Sequence, residues 1–408
     1  MVNIMHVLVI NSGSSSIKFR VYDMDGEACL IAGAVTRLGE DSSAGEFHYH
    51  AGDKNDDKQA VETGARDHAE ALQQIFAVLE NNKFGNIAAL LSAVGHRVVH
   101  GGELFQAPTR IDHQVIDGIR DMVPLAPLHN PANLAGIEAT RSLCPQLPQV
   151  AVFDTSFFRT LPSCAYRYAV PDEWYRQYHV RRFGFHGISH QSAVTRAAAY
   201  LQRPPAALRL ITLHLGNGAS MAAIRDGVCI DTSMGMTPLA GLVMGTRCGD
   251  LDPSVHFYLS RTLGMSVDEI ETLLNHDSGL KGLCGVSDMR DVERLARQGN
   301  EQAALALEMY CYRICKYIGA YHAILGGLDA LVFTGGVGEN DAFIRQSVCA
   351  RLSALGITLD PVRNQDGQGN VYSINVDNSD ISVLVISANE ELEIARQVIS
   401  VVGDDQAR

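Results

Sequence analysis

Two arginines stand among glycines. Arg97 lies in Gly95-His-Arg-Val-Val-His-Gly-Gly102, and Arg247 in Met244-Gly-Thr-Arg-Cys-Gly-Asp250. A guanidinium is a planar fork that grips a carboxylate or a phosphate at two points. Glycine neighbours leave room for such a ligand, and neither stretch has the charge density of a helix face laced with ordinary ion pairs. Two further turns have the composition to bind an anion. Asn11-Ser-Gly-Ser-Ser-Ser-Ile-Lys18 offers hydroxyls, free backbone N–H groups, a glycine that lets the backbone approach closely, and a lysine charge. Gly216-Asn-Gly218 repeats part of that chemistry. For either turn alone, a structural hairpin is the competing explanation. The P-loop pattern G-x-x-x-x-G-K-[ST] is absent, and so is the G-x-S-x-G of a serine hydrolase.

Pro127-Leu-His-Asn-Pro131 and Arg182-Phe-Gly-Phe-His-Gly187 place His129 and His186 beside apolar residues. A histidine there can neutralise charge on a transferring phosphoryl group. A hydrogen-bonded core histidine is the equally open alternative. Asp154 closes the apolar run Ala151-Val-Phe, and Glu390 falls in the first turn of a predicted helix. Either can hold Mg²⁺ directly or through water, while Glu390 also fits simple dipole compensation. Thr334-Gly-Gly-Val-Gly-Glu-Asn340 joins a predicted strand to a helix N-terminus, which suits a nucleotide or a plain βα turn.

These groups need a scaffold, and the chain supplies one twice. Residues 6–23 and 210–226 each read as a strand, a tight polar turn and a second strand ending near an Asp. Such a repeat suggests a duplicated domain with a cleft between the copies, and two unrelated hairpins in a large α/β protein are the equally open alternative. Asp67 and Glu70 start a helix whose apolar face is Leu72, Ile75, Phe76 and Leu79. Leu328 to Phe333 predicts a buried strand. A helix follows, with Ile344, Val348, Leu352 and Leu355 on one side and Gly356 at its end. The last helix is expected from Asn389 to Gly403, and stretches 41–58 and 361–370 as surface loops. The mixture predicts an α/β fold.

Composition narrows the partners. A chain of 408 residues suggests two domains, and its formal charge of −13 disfavours nucleic acid and anionic membranes. The nine cysteines are odd in number and scattered, with no C-x-x-C, so neither a disulfide framework nor a zinc site is indicated. The start lacks a basic region ahead of its short apolar run, and no apolar stretch reaches 18 residues. A reducing cytoplasm is the expected compartment.

Taken together the stretches resemble the acetate/propionate kinase family, within the actin–Hsp70–sugar kinase superfamily of duplicated ATPase domains. The resemblance runs from Val7 to Arg396. It is carried by the segments quoted above, together with Pro124-Leu-Ala-Pro-Leu-His-Asn130, Phe153-Asp-Thr155, His214-Leu-Gly-Asn-Gly-Ala-Ser220, Asp231-Thr-Ser-Met-Gly235 and Asn389-Glu-Glu391. It implies two actin-like (ribonuclease H-like) domains, residues 1–155 and 156–386. The helix 389–403 packs back on the first, and the second carries nucleotide and dimer contacts. It implies reversible, direct in-line phosphoryl transfer from ATP to acetate, giving acetyl phosphate and ADP. Mg²⁺ serves as the metal, with Mn²⁺ able to substitute, and the enzyme is a homodimer.

The same resemblance assigns roles. Arg97 and Arg247 would hold the acceptor carboxylate and the phosphoryl group in transit, and His129 and His186 would stabilise transition-state charge. Asn11, Ser14, Ser16 and Lys18 would line the phosphate channel, with His214, Asn217 and Gly218 opposite. Asp154 and Glu390, with Asn11, would position the metal. Asp288, Met289 and Arg290 match the segment that holds adenosine, and Gly335, Gly336, Gly338, Glu339 and Asn340 would lie near the nucleotide. Val99, Leu128, Phe185 and Pro238 match a small pocket for the acyl methyl group, and relatives preferring propionate tend to carry a smaller residue at Val99. Departures from the family pattern are Ser12 for Ala, Cys248 for Ser, Phe158 for His, Ala240 for Glu, and Ser387-Ala388 for Pro-Thr. A kinase preferring propionate or butyrate is the nearest alternative. A non-catalytic ATP-driven switch is the alternative from a different class.

Overall fold

The structure is a computed structural model that describes residues 5–39, 46–52, 59–81 and 86–406. These divide into two compact units, Met1–Phe157 with Asn389–Arg408, and Phe158–Ala388.

In the first unit the apolar alternation from His6 folds into a hairpin of β1 (His6–Ser12) and β2 (Ser16–Asp23). The sheet is extended by β3 (Ala28–Thr36), β4 (Glu46–Ala51), β5 (Gln59–Glu62), β6 (Leu91–Val98), β7 (Thr109–Arg110) and β8 (Gln149–Phe153). Their order is β5-β4-β3-β2-β1-β6-β8-β7. β1, β6 and β8 run parallel, and β1, β2 and β3 antiparallel. One face carries the core of Leu8, Ile10, Ile17, Phe19 and Val94, packed against Leu72, Ile75 and Leu79 of helix His68–Glu80. Asp67 caps that helix, accepting from Glu70 N at 2.9 Å. Gly95 follows the core-facing Val94, so strand alternation turns it to the opposite face. There the helix Glu390–Gln406 crosses so closely that a Cβ on Gly95 would sit 2.6 Å from Val398 Cγ2.

The second unit repeats the plan with β9 (Arg209–Leu215), β10 (Ala219–Arg225), β11 (Val228–Thr232), β12 (Ala330–Thr334), β13 (Val371–Ser373) and β14 (Ser382–Ile386), ordered β11-β10-β9-β12-β14-β13. β12 is buried at every residue, as a parallel strand covered on both faces should be. The long helix Glu301–Leu325 is capped by Asn300, whose side chain accepts from Ala303 N at 2.9 Å, and ends on a left-handed Gly326. Setting aside β4, β5, β7 and β13, the five central strands of each unit follow the order third, second, first, fourth, fifth: β3-β2-β1-β6-β8 and β11-β10-β9-β12-β14. The two expected hairpins are therefore equivalent elements of a duplicated α/β fold.

Several local expectations are corrected. Within 41–58, residues 46–51 form β4, while 41–45 and 53–58 lie outside the described residues. Pro361–Asp366 is a short helix, because Asp360 accepts from Val362 N and Arg363 N and Pro361 occupies the first turn. The final helix passes Gly403 and ends at Gln406. The helix after β12 is broken. Gly335–Asn340 coils on its own, Ala342–Cys349 follows, and a 3₁₀ turn Ser353–Leu355 ends on left-handed Gly356. On the long helix Glu301–Leu325, Tyr310 and Tyr321 are buried inside the second unit, while Tyr312 is exposed.

Candidate active site

In the first unit the end of β6 carries Arg97, and Asp154 follows the end of β8. Parallel pairing brings them together: Arg97 Nη2 donates to Asp154 Oδ2 at 2.6 Å and Nε to Oδ1 at 3.3 Å. Arg97 Nη1 lies 3.4 Å from Asn11 Oδ1 at the end of β1. Asp154 is buried, and the pair with Arg97 compensates its charge. Burial pushes the Glu390 carboxyl up to about 7, partly opposed by the Arg97 guanidinium and reinforced by the Asp154 carboxylate. Arg97, Asn11, Asp154 and Glu390 therefore share one electrostatic neighbourhood.

The phosphate-type turn is closed by Gly13 N donating to Ser16 O at 2.7 Å, and His68 Nε2 hydrogen-bonds with Gly13 O at 2.7 Å. Ser14 and Lys18 are exposed, and Ser16 is half-buried. Two buried asparagines hold the surroundings. Asn133 accepts from Val99 N at 3.0 Å and donates to Ser12 O at 2.7 Å. Asn130 accepts from His100 N at 3.1 Å and donates to His100 O at 3.0 Å. They start the helix Asn130–Leu143, with the half-buried His129 at its N-cap position and the exposed Leu128 before it.

In the second unit His186 has φ of 60°, a left-handed conformation rare for a residue with a Cβ. Its Nδ1 lies 2.9 Å from Ser220 Oγ, and its ring stacks on His214 at 4.4 Å. His190 hydrogen-bonds the same Ser220 hydroxyl at 2.8 Å and Thr212 at 2.7 Å, and burial holds its pKa well below the usual histidine value. The core histidine is thus His190. His186 faces a site: a Cβ on Gly218 would lie 3.5 Å from His186 Nε2 and 3.7 Å from Arg247 Nη1. Arg247 donates to Pro238 O at 3.2 Å, and burial lowers its pKa. Among the described residues it has no carboxylate partner.

Beside this cluster lies a cavity of about 910 Å³ that gathers Asn217, Asp288, Met289, Arg290, Gly336 and Asn340. Asp288 caps the helix Met289–Arg297 and is held down to about 2 by its bond to the Arg290 guanidinium. Gly335, Gly338 and Glu339 are not among the lining residues. The helix after β12 that the dipole argument required is only six residues long, and the next one is capped by the Asp341 carboxylate, which disfavours phosphate there. Phe185 is buried and Pro238 half-buried in this unit, while Val99 and Leu128 belong to the first.

Sequence reasoning missed Asn130, Asn133 and Ser220, which position the proposed groups through hydrogen bonds. It also missed Glu293, Arg297 and Phe343 on the cavity wall. Asn130 and Asn133 carried a readable signal, being polar residues on an otherwise apolar helix face. Two of the departures are accommodated. Phe158 is buried against Gly184, and Cys248 Sγ lies 3.2 Å from Gly249 O.

The family profile described as "Acetokinase family" matches residues 6–396. The chain belongs to the acetokinase family. Acetate kinase from Syntrophobacter fumaroxidans is 47% identical over 399 residues, covering 98% of this chain and 97% of the relative. The crystal structure of Porphyromonas gingivalis acetate kinase superposes with a TM-score of 0.91 at 43% identity, covering 98% of this chain and 100% of that one. A propionate kinase structure from Francisella tularensis gives a TM-score of 0.91 at 40% identity, with 97% and 100% covered. The family match spans both units, and its bounds enclose Asn11 and Glu390.

Proposed function

We propose that the protein transfers the γ-phosphoryl group of ATP to acetate, forming acetyl phosphate and ADP. The observation that carries this is Arg247, a half-buried guanidinium with no carboxylate partner among the described residues, set beside His186 and Gly218. An uncompensated cation in such a place is poised for an anion. Family membership supports the carboxyl acceptor.

Acetate is already ionised at neutral pH, so the reaction needs no strong base. The task is to bring two anions into line and hold the charge that spreads over the phosphoryl oxygens. Arg97 orients the acceptor carboxylate, and Arg247 with His186 and His129 holds the phosphoryl oxygens. Asn11, Ser14, Ser16 and Lys18 guide the phosphates, as do His214, Asn217 and Gly218. Adenosine occupies the cavity at Asp288, Met289 and Arg290. Asp154, Glu390 and the Asn11 amide form an all-oxygen set that suits a hard divalent cation, Mg²⁺ or Mn²⁺. That ion would neutralise phosphate charge. Val99, Leu128, Phe185 and Pro238 surround the acyl methyl group.

The chain acts in the cytoplasm as a homodimer. Support comes from the helix Ser254–Leu263, which buries none of its residues and exposes Phe257 and Tyr258. Light scattering that finds a monomer at micromolar concentration rejects the dimer. ADP release that depends on both acetate and Mg²⁺ tests the activity, and ADP release without acceptor contradicts it.

A further inference from the structure

Glu339 sits in the short helix after β12, yet it is not among the residues that line the cavity at Asp288–Arg290. Ala388 N donates to Glu339 Oε1 at 2.8 Å, and the Ser387 hydroxyl and Gly335 N also hydrogen-bond to the carboxylate. Arg196 grips the same segment from the helix Gly187–Tyr200, donating to Ser387 O and, at 3.0 Å, to Asn370 O. The segment around Glu339 is itself anchored by hydrogen bonds. The buried Arg345 donates to Gly338 O at 3.0 Å, Glu339 O at 2.7 Å and Asn364 Oδ1 at 2.8 Å. Glu339 therefore ties an anchored segment to residues 387–388.

The next two residues are Asn389 and Glu390. Asn389 caps the last helix, accepting from Leu392 N at 3.1 Å, and also accepts from Tyr22 OH at 3.0 Å. Glu390 is thus two residues beyond a peptide held by Glu339 and one beyond a peptide held by a cap. The geometry points to Glu339 as a positioning residue that fixes Glu390 through Ser387–Ala388, rather than as a nucleotide ligand. This rests on the reading of Glu390 as a metal-positioning carboxylate. Residues that orient a metal-binding carboxylate without touching the ion typically alter metal dependence by about 10- to 100-fold when removed.

The test compares Glu339→Ala, Glu339→Gln, Glu390→Ala and the double alanine variant. Glutamine keeps an oxygen that can accept from Ala388 N, so it separates loss of the latch from loss of charge. Measured are kcat, the Mg²⁺ concentration for half-maximal rate, and calorimetric ADP affinity without metal. The expected result for Glu339→Ala is an Mg²⁺ requirement raised about 10-fold with unchanged metal-free ADP binding. Glu339→Gln should recover most of the loss, and Glu339→Ala should add nothing to Glu390→Ala. Weakened metal-free ADP binding with unaltered Mg²⁺ dependence would make Glu339 a nucleotide ligand and overturn the proposal. A shift in Glu390→Ala but none in Glu339→Ala also overturns it while leaving the role of Glu390 intact. No shift in Glu390→Ala removes that role, and the proposal with it.

Discussion

Arg97 and Asp154 form a two-point ion pair, Nη2 to Oδ2 at 2.6 Å and Nε to Oδ1 at 3.3 Å, with the carboxylate almost fully buried. Arg247 has no such partner among the described residues. The two arginines proposed for the reaction therefore differ in what they do for the fold.

Replacing either arginine by alanine should lower kcat by roughly 10²–10⁴, the scale of losing a charge clamp on a developing anion. Stability should separate them. Arg97→Ala leaves the Asp154 carboxylate buried and uncompensated, at a cost on the order of 3 kcal/mol. Arg247→Ala removes an unpaired, half-buried charge and should leave stability unchanged or raised. Denaturant unfolding of both variants checks this, and equal destabilisation contradicts the assignment.

Ser12 stands where the family pattern has alanine, and its buried hydroxyl has no hydrogen-bond partner among the described residues. It faces Gly136, where an added Cβ would overlap Ser12 Oγ. Removing an unsatisfied buried hydroxyl should help, so Ser12→Ala is expected to stabilise by about 1 kcal/mol without loss of activity. A lower melting temperature would show that the hydroxyl has a function.

His96 is buried against Gln149 Oε1 at 2.9 Å, and burial lowers its pKa from 6.5 to about 4. A depressed histidine stays neutral when folded while the unfolded chain takes up the proton. Its contribution is therefore fully present above pH 6.5 and is lost as the pH falls from 6.5 to about 4. The total is about 3 kcal/mol, since one unit is about 1.4 kcal/mol. Unfolding free energies of the wild type and His96→Gln, compared between pH 7.5 and 5, should diverge, with the wild type falling faster. Parallel curves would exclude His96 as the source.

Val99 is tied by its N–H to Asn133, which also holds Ser12 O. Its backbone is therefore fixed, and substituting its side chain should alter space rather than position. One methylene in such a pocket is worth about 1–3 kcal/mol, so discrimination is modest. Val99→Ala should narrow or reverse the preference for acetate over propionate in kcat/KM, with ATP affinity unchanged. An unaltered ratio means that Val99 is not the gate.

Much of this was legible in the residues because local chemistry decides it. The hairpins at β1–β2 and β9–β10 follow from apolar alternation around polar turns, and the Arg97 and Arg247 segments from glycine beside arginine. What was hidden depends on contacts distant in sequence. The Arg97–Asp154 pair needs the parallel register of β6 and β8. The single helix expected after β12 is interrupted where Asp341 starts a new cap. The bond from Ala388 N to Glu339 joins residues 49 positions apart, which no local pattern reveals.

The most direct test is hydroxylamine trapping of acyl phosphate with ATP, Mg²⁺ and acetate, propionate or butyrate. The account predicts hydroxamate formation strictly dependent on ATP and a carboxylate, ranked acetate, propionate, butyrate by kcat/KM, and lowered roughly 10²–10⁴-fold in Arg247→Ala. ATP turnover without any acyl phosphate, or undiminished trapping in Arg247→Ala, would contradict it.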